Sequence, residues 1–454
     1  MPDTKLQNLL TAAANVRPNA NQLRWFDREF YAFMHFGMNS FTNREWGLGN
    51  EDPALFDPAQ LDCDQWVEAV KAAGMRAIIL TAKHHDGFCL WPTKTTEHCV
   101  RNSPFRGGKG DIVRELSDAC ARGGIGFGVY LSPWDRNAAC YGTDEYNDFY
   151  KAQLTELLTN YGELCEVWFD GACGEGPNGR RQVYDFPGFI ELIRRYQPNA
   201  VIFHDAGPDI RWCGNEAGQG RAAEWAVVPK ELCSLSAEIT PVEKVMDGSL
   251  KHLYRQNPLS MVGDLSMLLY SEGLVFCGSE IDTSIHRGWF YHPEEEPHSV
   301  EKLMNIYLAS VGDNACLNLN IPPMPNGRMD PRDVERLKEF GDALRAAFGT
   351  PLALLDAPRP AAMYGPNQPV YHVDLGGEKE VHYVVLEEDI AQGQRVESFG
   401  VYLTRNGFRD MYPAEDGLTI GHKRILRLDR KCEGLDVDIL AARGPVNLRR
   451  ITVY

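Results

Sequence analysis

Four apolar runs of the chain end in side chains that can bind or protonate an oxygen-rich ligand. They are His35-Phe36-Gly37, Lys83-His84-His85-Asp86-Gly87, Tyr130-Leu131-Ser132-Pro133-Trp134 and Trp168-Phe169-Asp170-Gly171. Imidazoles and carboxylates bond hydroxyl groups, while indole and phenol faces stack on the C–H surface of a pyranose. The set therefore suits a sugar. One His or Trp at a strand end is more often structural than catalytic, so the weight lies in four such ends in succession.

Asp170 is the sharpest single position. It follows a largely apolar run and precedes Gly171, which projects a carboxylate from a strand end. The structural alternative is a helix N-cap. The next residues, Ala172-Cys173-Gly174-Glu175-Gly176-Pro177-Asn178-Gly179, do not begin a helix, and this weakens that alternative. A glycosidase needs a second carboxyl group. Glu216, in Trp212-Cys213-Gly214-Asn215-Glu216-Ala217-Gly218, is the candidate. Apolar surroundings such as Trp212 raise a carboxyl pKa, as a general acid requires. A solvated loop glutamate is an equally good reading of the pattern alone. A third cluster, Glu280 to His292, contains Arg287 and Trp289 and reads either as a site wall or as an internal salt-bridge cluster.

Other motifs lead nowhere. Gly124-x-Gly126-x-Gly128 enters a strand instead of leaving one for a helix, so it is no dinucleotide fingerprint. Gly108-Lys109-Gly110-Asp111 lacks the phosphate-loop spacing, and there is no GxSxG elbow. His84-His85-Asp86 looks like a metal set, but neighbouring strand residues point to opposite faces. No metal is expected.

These groups need a scaffold that aims strand ends at one place. Apolar runs Tyr31–His35, Arg76–Thr81, Phe127–Leu131, Cys165–Asp170 and Ala200–Asp205 suit strands buried on both faces. Amphipathic stretches Gln65–Ala73, Asp111–Arg122 and Asn147–Tyr161 lie between them, and Gly74 and Gly123 stop the first two. At least five strand–helix units predict an α/β fold, a (β/α)-barrel, over residues 1–349. After Pro351 the texture changes to short strands, Val370–Val373, Val381–Leu386, Ser398–Thr404 and Leu448–Tyr454, with no convincing helix. Residues 350–454 read as a C-terminal β-sandwich.

Composition agrees with an enzyme of this kind. The 454 residues are 44% hydrophobic and 24% charged, with a net charge of −17 and no basic stripe, so a nucleic-acid partner is not expected. No apolar run approaches a membrane span. The twelve cysteines form no CxxC pair and lie mostly in apolar runs, which suggests buried thiols in a reducing compartment. No signal peptide is visible at the N-terminus. The expectation is a cytoplasmic protein, or a secreted one if a leader has been removed.

Three segments together carry a family resemblance: Phe33-Met34-His35-Phe36-Gly37, Ala82-Lys83-His84-His85-Asp86-Gly87-Phe88 and Val167-Trp168-Phe169-Asp170-Gly171. They resemble glycoside hydrolase family 29, the α-L-fucosidases, from about Trp25 to Phe348. The resemblance implies a retaining exo-enzyme that needs no cofactor and acts on fucosylated oligosaccharides or glycoconjugates. It implies that Asp170 is the nucleophile and that His35, His84, His85 and Tyr130 hold sugar hydroxyls. Glu45-Trp46 matches a loop that closes over the sugar, and Trp168 and Trp289 match the apolar wall around the C6 methyl. Arg211–Glu216 and Ser132–Asn137 resemble the subgroup selective for α-1,3 and α-1,4 linkages, in which Glu216 would be the acid/base. Trp134, Asp135 and Arg136, with Tyr184-Asp185, could then meet a second sugar past the scissile bond. The alternatives are a broad-specificity α-L-fucosidase, a catalytically dead carbohydrate-binding barrel and a metal-dependent hydrolase using His84 and His85. The presence of both Asp170 and Glu216 argues against the dead barrel.

Overall fold

The computed structural model describes residues 2–233 and 262–454. Eight parallel strands close into a barrel: β1 (Phe30–Met34), β2 (Ala77–Lys83), β3 (Gly126–Leu131), β4 (Glu166–Trp168), β5 (Val201–Phe203), β6 (Ile210–Trp212), β7 (Gly278–Ser284) and β8 (Cys316–Asn320). Each pairs with its sequence neighbour, and β8 closes on β1 through the register Phe30 to Leu317. This is the (β/α)-barrel expected from the alternation. A two-stranded ribbon, Val227–Pro229 with Leu274–Phe276, lies outside the barrel.

The outer helices form where caps and apolar stripes coincide. Asp62 accepts the Gln65 amide and starts the helix Cys63–Ala72, which buries Trp66, Val67 and Val70. Asp111 does the same through the Arg114 amide for Ile112–Gly123, and Gly124, at φ +69°, ends it in the left-handed region. Helices Glu145–Asn160, Phe186–Tyr196, Val300–Leu308 and Pro331–Phe348 continue the ring.

Three strands escape the sequence pattern, and their inward side chains explain why. β7 reads Gly-Ser-Glu-Ile-Asp-Thr-Ser and β8 reads Cys-Leu-Asn-Leu-Asn, yet every residue of both is buried. The barrel axis is polar on this side. Glu280 accepts hydrogen bonds from Tyr31, from the Trp168 indole at 2.8 Å and from Asn318 at 3.1 Å. Polar groups so paired can be buried without a large penalty, so the strands need no apolar run. β6 is only three residues long and offers too little pattern.

The last barrel helix ends at Phe348 and an antiparallel sheet begins at Ala353. Its eight strands cover their own apolar core, which includes Val373, Val384, Phe399, Val401, Leu435 and Ile451. The two short strands expected around Val370 and Val381 are one long strand, Gln368–Glu388. Its main partner, Arg424–Ala442, carries charged residues at eight of its 19 positions and was not expected. Glu29 is one of the groups that join the β-sandwich to the barrel, meeting Lys423 at 2.5 Å and His422 at 3.0 Å, beside the pair of Arg424 with Asp313 at 2.8 Å. All twelve cysteines are free, and Cys140, Cys173 and Cys233 alone are partly exposed.

Candidate active site

The C-terminal ends of the barrel strands surround a cavity of about 220 Å³. His35, Glu45, Trp46, His84, His85, Trp168, Asp170, Glu216 and Trp289 all line it, together with Phe33, Asp205, Trp212 and Asp282. No Lys or Arg lines the cavity among the described residues.

Asp170 stands two residues past β4 and is held from two sides. Its Oδ1 accepts the Ala172 amide at 2.6 Å, and its Oδ2 accepts the Tyr130 hydroxyl at 2.8 Å. The following segment runs without helix to Phe186, so the carboxylate closes a local turn and caps no helix. Tyr130 itself is wholly buried and is not part of the cavity surface. The resemblance assigned it to a sugar hydroxyl; in the structure its hydroxyl donates to Asp170.

The three histidines are buried, and each is oriented by a neighbour. The Ser132 hydroxyl donates to the Trp134 carbonyl at 2.7 Å, so it accepts from His85 Nδ1, also at 2.7 Å. That leaves His85 Nε2 as an acceptor, 3.7 Å from Asp170 Oδ2. His35 Nδ1 faces the Asn320 carbonyl oxygen at 2.9 Å and must donate, which also leaves its Nε2 an acceptor. His84 Nδ1 faces the Asn39 amide nitrogen at 3.3 Å and must accept, which makes its Nε2 a donor. Burial lowers all three pKa values, that of His35 to about 3, and the rings are neutral at pH 7. The site thus offers both donors and acceptors, as hydroxyl groups require.

His84 and His85 both face the cavity, with ring centroids 4.1 Å apart. The alternation argument fails here because β2 ends at Lys83, before either residue. Ligand atoms of His84, His85 and Asp170 lie within 4.8 Å of one another, so the spacing itself does not argue against a metal.

Glu216 lies at the mouth of the cavity, in a loop with Gly214 and Gly218 at positive φ. Its backbone carbonyl accepts the Thr283 hydroxyl at 2.8 Å. Partial desolvation raises the pKa of its carboxyl. The Trp289 side chain opposes the shift, and the negative charges of Asp170 and Glu45 add to it. Glu45 accepts the amides of Trp289 and Phe290 at 2.8 and 3.1 Å and meets His292 Nε2 at 2.7 Å. It therefore pins the wall that carries Trp289. Trp46 is 54% exposed and stands edge-on to His85 and Trp134 at the rim. Trp168 stacks on Phe203 at 4.1 Å and is fixed by Glu280.

Besides Tyr130, Trp134 and Asp185 do not line the cavity. Trp134 packs 4.9 Å behind His85, and its indole donates to the Glu175 carbonyl. Asp185 caps the helix Phe186–Tyr196 and pairs with Lys151 at 2.5 Å. Their companions are equally engaged. Asp135 is buried against Lys83 at 2.9 Å, Arg136 donates to the Gly47 carbonyl, and Tyr184 bonds Tyr141 at 2.5 Å. A second recess of about 460 Å³ instead adjoins the cavity at Glu45, Glu216 and Trp289, and it is lined further by Asn43, Arg287, His292, Glu294 and Glu295. The third sequence cluster therefore splits: Trp289 is a site wall, while Arg287 is an exposed group at the rim of the recess.

Asp205 and Asp282 were not singled out from the sequence. Asp205 ends the fifth apolar run as Asp170 ends the fourth, which is the signal that could have found it. Its carboxyl lies against Gly171, and burial and the Asp170 charge push it up to about 7. Asp282 sits in a strand too polar to be recognised as one.

The α-L-fucosidase family model matches residues 25–347. "Alpha-L-fucosidase 1" of Arabidopsis thaliana is 39% identical over 436 residues, covering 90% of this chain and 81% of that protein. The crystal structure of a glycoside hydrolase 29 family member from an unknown rumen bacterium aligns with a TM-score of 0.81 at 39% identity, over 97% of this chain and 77% of that one. A Ruminococcus gnavus GH29 fucosidase in complex with fucose aligns with a TM-score of 0.82 at 30% identity, over 97% and 95%. The chain belongs to the α-L-fucosidase family, glycoside hydrolase family 29.

Proposed function

We propose that the protein is an α-L-fucosidase that releases terminal α-L-fucose with retention of configuration, with Asp170 as nucleophile and Glu216 as acid/base. The carrying observation is the unequal environment of two carboxyl groups on one cavity. Asp170 receives two hydrogen bonds that position it, while Glu216 is partly desolvated and repelled by Asp170 and Glu45. Such a pair divides nucleophile from acid.

An Asp170 oxygen attacks the anomeric carbon as the glycosidic C–O bond breaks, and Glu216 gives its proton to the leaving oxygen. The product is a fucosyl ester of Asp170. Glu216, now a carboxylate, takes a proton from water. The water oxygen bonds the anomeric carbon, and Asp170 leaves with its electron pair. Both transition states carry positive charge on the sugar ring. A lining with several carboxyl groups and, among the described residues, no Lys or Arg favours that charge.

The leaving sugar exits past Glu216, and the recess beyond it is large and polar. This supports a preference for α-1,3- and α-1,4-linked fucose on branched, Lewis-type glycans, whose second sugar would occupy the recess. The twelve free thiols support a reducing compartment, the cytoplasm, as the place of action.

Fucose release from a nitrophenyl α-L-fucoside tests the activity, and NMR of the first-formed anomer tests retention. Release from 3-fucosyllactose at least about a hundredfold faster than from 2′-fucosyllactose tests the linkage. Equal rates support the broad-specificity reading, and no release from any fucoside supports a sugar-binding barrel. The spacing of His84, His85 and Asp170 favours one further reading, a metal-dependent hydrolase. Loss of activity on dialysis against a chelator, restored by a divalent ion, would establish it in place of the metal-free mechanism.

A further inference from the structure

Asp282 has no part in the double displacement, and the Trp212 side chain hydrogen-bonds its carboxyl, yet one of its two oxygens is left unserved. It lies on β7 between Glu280 and Ser284, and strand alternation turns these three side chains to the barrel interior. The carboxyl and hydroxyl oxygens of the other two find more partners. Glu280 has three donors, and the Ser284 hydroxyl accepts the Asn320 amide at 3.0 Å. Asp282 is 5% exposed and lines the catalytic cavity, and its buried Oδ1 has no hydrogen-bond partner among the described residues. The cavity floor around it, Phe33, Trp168 and Trp212, is largely apolar.

A buried oxygen without a partner destabilises the fold, and native proteins keep few of them. One that opens on a ligand cavity can be completed by the ligand. The form of the group fits a hydroxyl. Burial, and after it the charges of Glu280 and Glu216, push the Asp282 pKa well above the usual carboxylate range. A protonated carboxyl donates one hydrogen bond and accepts another, as does the hydroxyl facing it. In a mostly apolar floor, a polar group of this kind rejects a ligand that cannot pair with it.

We propose that Asp282 is a specificity-determining residue that hydrogen-bonds directly to a ring hydroxyl of the sugar in the catalytic cavity. The assignment rests on the α-L-fucosidase activity proposed above. The test measures kcat/KM of the wild type, Asp282→Asn and Asp282→Ala on a nitrophenyl α-L-fucoside and its 2-, 3- and 4-deoxy analogues. Asp282→Ala should lose at least about thirtyfold on the parent fucoside and less than about threefold on the one analogue that lacks the contacted hydroxyl. Asp282→Asn, which can still donate and accept, should fall between them and show the same pattern. Uniform loss on all four sugars, or no loss by Asp282→Ala, overturns the assignment and leaves the activity standing. A wild-type protein that hydrolyses none of the four overturns the activity itself and the assignment with it.

Discussion

The Tyr130 hydroxyl donates to Asp170 Oδ2 at 2.8 Å from a wholly buried position on β3, one strand from the carboxylate it holds. Two strand ends thus fix one reactive oxygen, and the other oxygen is fixed by the chain's own Ala172 amide. Tyr130→Phe keeps the ring packing and removes this donor. Steady-state assays should show kcat reduced about tenfold with KM changed less, since the loss is one of positioning. Unchanged kcat would mean that Asp170 needs no such support.

Asp170→Ala should leave a folded protein with less than about a hundredth of the wild-type rate, because removing a covalent nucleophile usually costs far more than that. Circular dichroism and the assay on a nitrophenyl fucoside check the two halves. A more active variant would move the nucleophile to another carboxyl, Asp205 being the neighbour.

Glu216 acts first in its protonated form. Its raised pKa keeps that form populated to higher pH than an ordinary glutamate, so kcat/KM should fall as pH rises through the raised value. In Glu216→Gln this alkaline limb should vanish. Substrates with good leaving groups should still form the fucosyl-enzyme, and azide should restore turnover as a fucosyl azide. A limb that survives the substitution assigns the acid elsewhere.

Arg287 carries one of the charges on the recess beyond Glu216, and its guanidinium is almost fully solvated, 3.7 Å from Glu295. Arg287→Ala should lower kcat/KM on 3-fucosyllactose about tenfold and change hydrolysis of the nitrophenyl fucoside by less than about twofold. Equal effects on both substrates would remove the recess from the binding of the leaving sugar.

Glu29 is one of the contacts between the two units. Burial pushes its carboxyl up, but Lys423 and His422 outweigh it and hold it far below the usual range. Because the folded pKa is depressed, this contribution is complete above the unfolded value, about 4.3. It is lost as pH falls toward the folded one. Lys423→Met leaves a buried charge with one partner fewer and should cost about 3 kcal/mol in urea unfolding at pH 7. The difference from wild type should shrink in acid. A loss under about 1 kcal/mol would show that His422 suffices.

The sequence alone determined the features that local chemistry encodes. Apolar runs marked β1 to β5, amphipathic stripes marked the helices Cys63–Ala72, Ile112–Gly123 and Glu145–Asn160, and the strand ends marked Asp170 and the histidines, because inside and outside are written there as residue type. Glu216 was visible as a carboxyl in a glycine-flanked loop, but its nearness to Asp170 was not. Only the tertiary structure decided what depends on partners distant in sequence. β7 and β8 could be polar because Tyr31, Trp168 and Asn318 pair with Glu280 across the barrel. His84 and His85 share a face because the strand stops one residue before them. Trp134 and Asp185, so plausible beside a second sugar, are committed to Glu175 and to a helix N-terminus. A residue type states what a side chain can bond to. Which groups are already taken, and which are left for a ligand, is fixed only when the closed barrel brings partners from separate strands within hydrogen-bond reach.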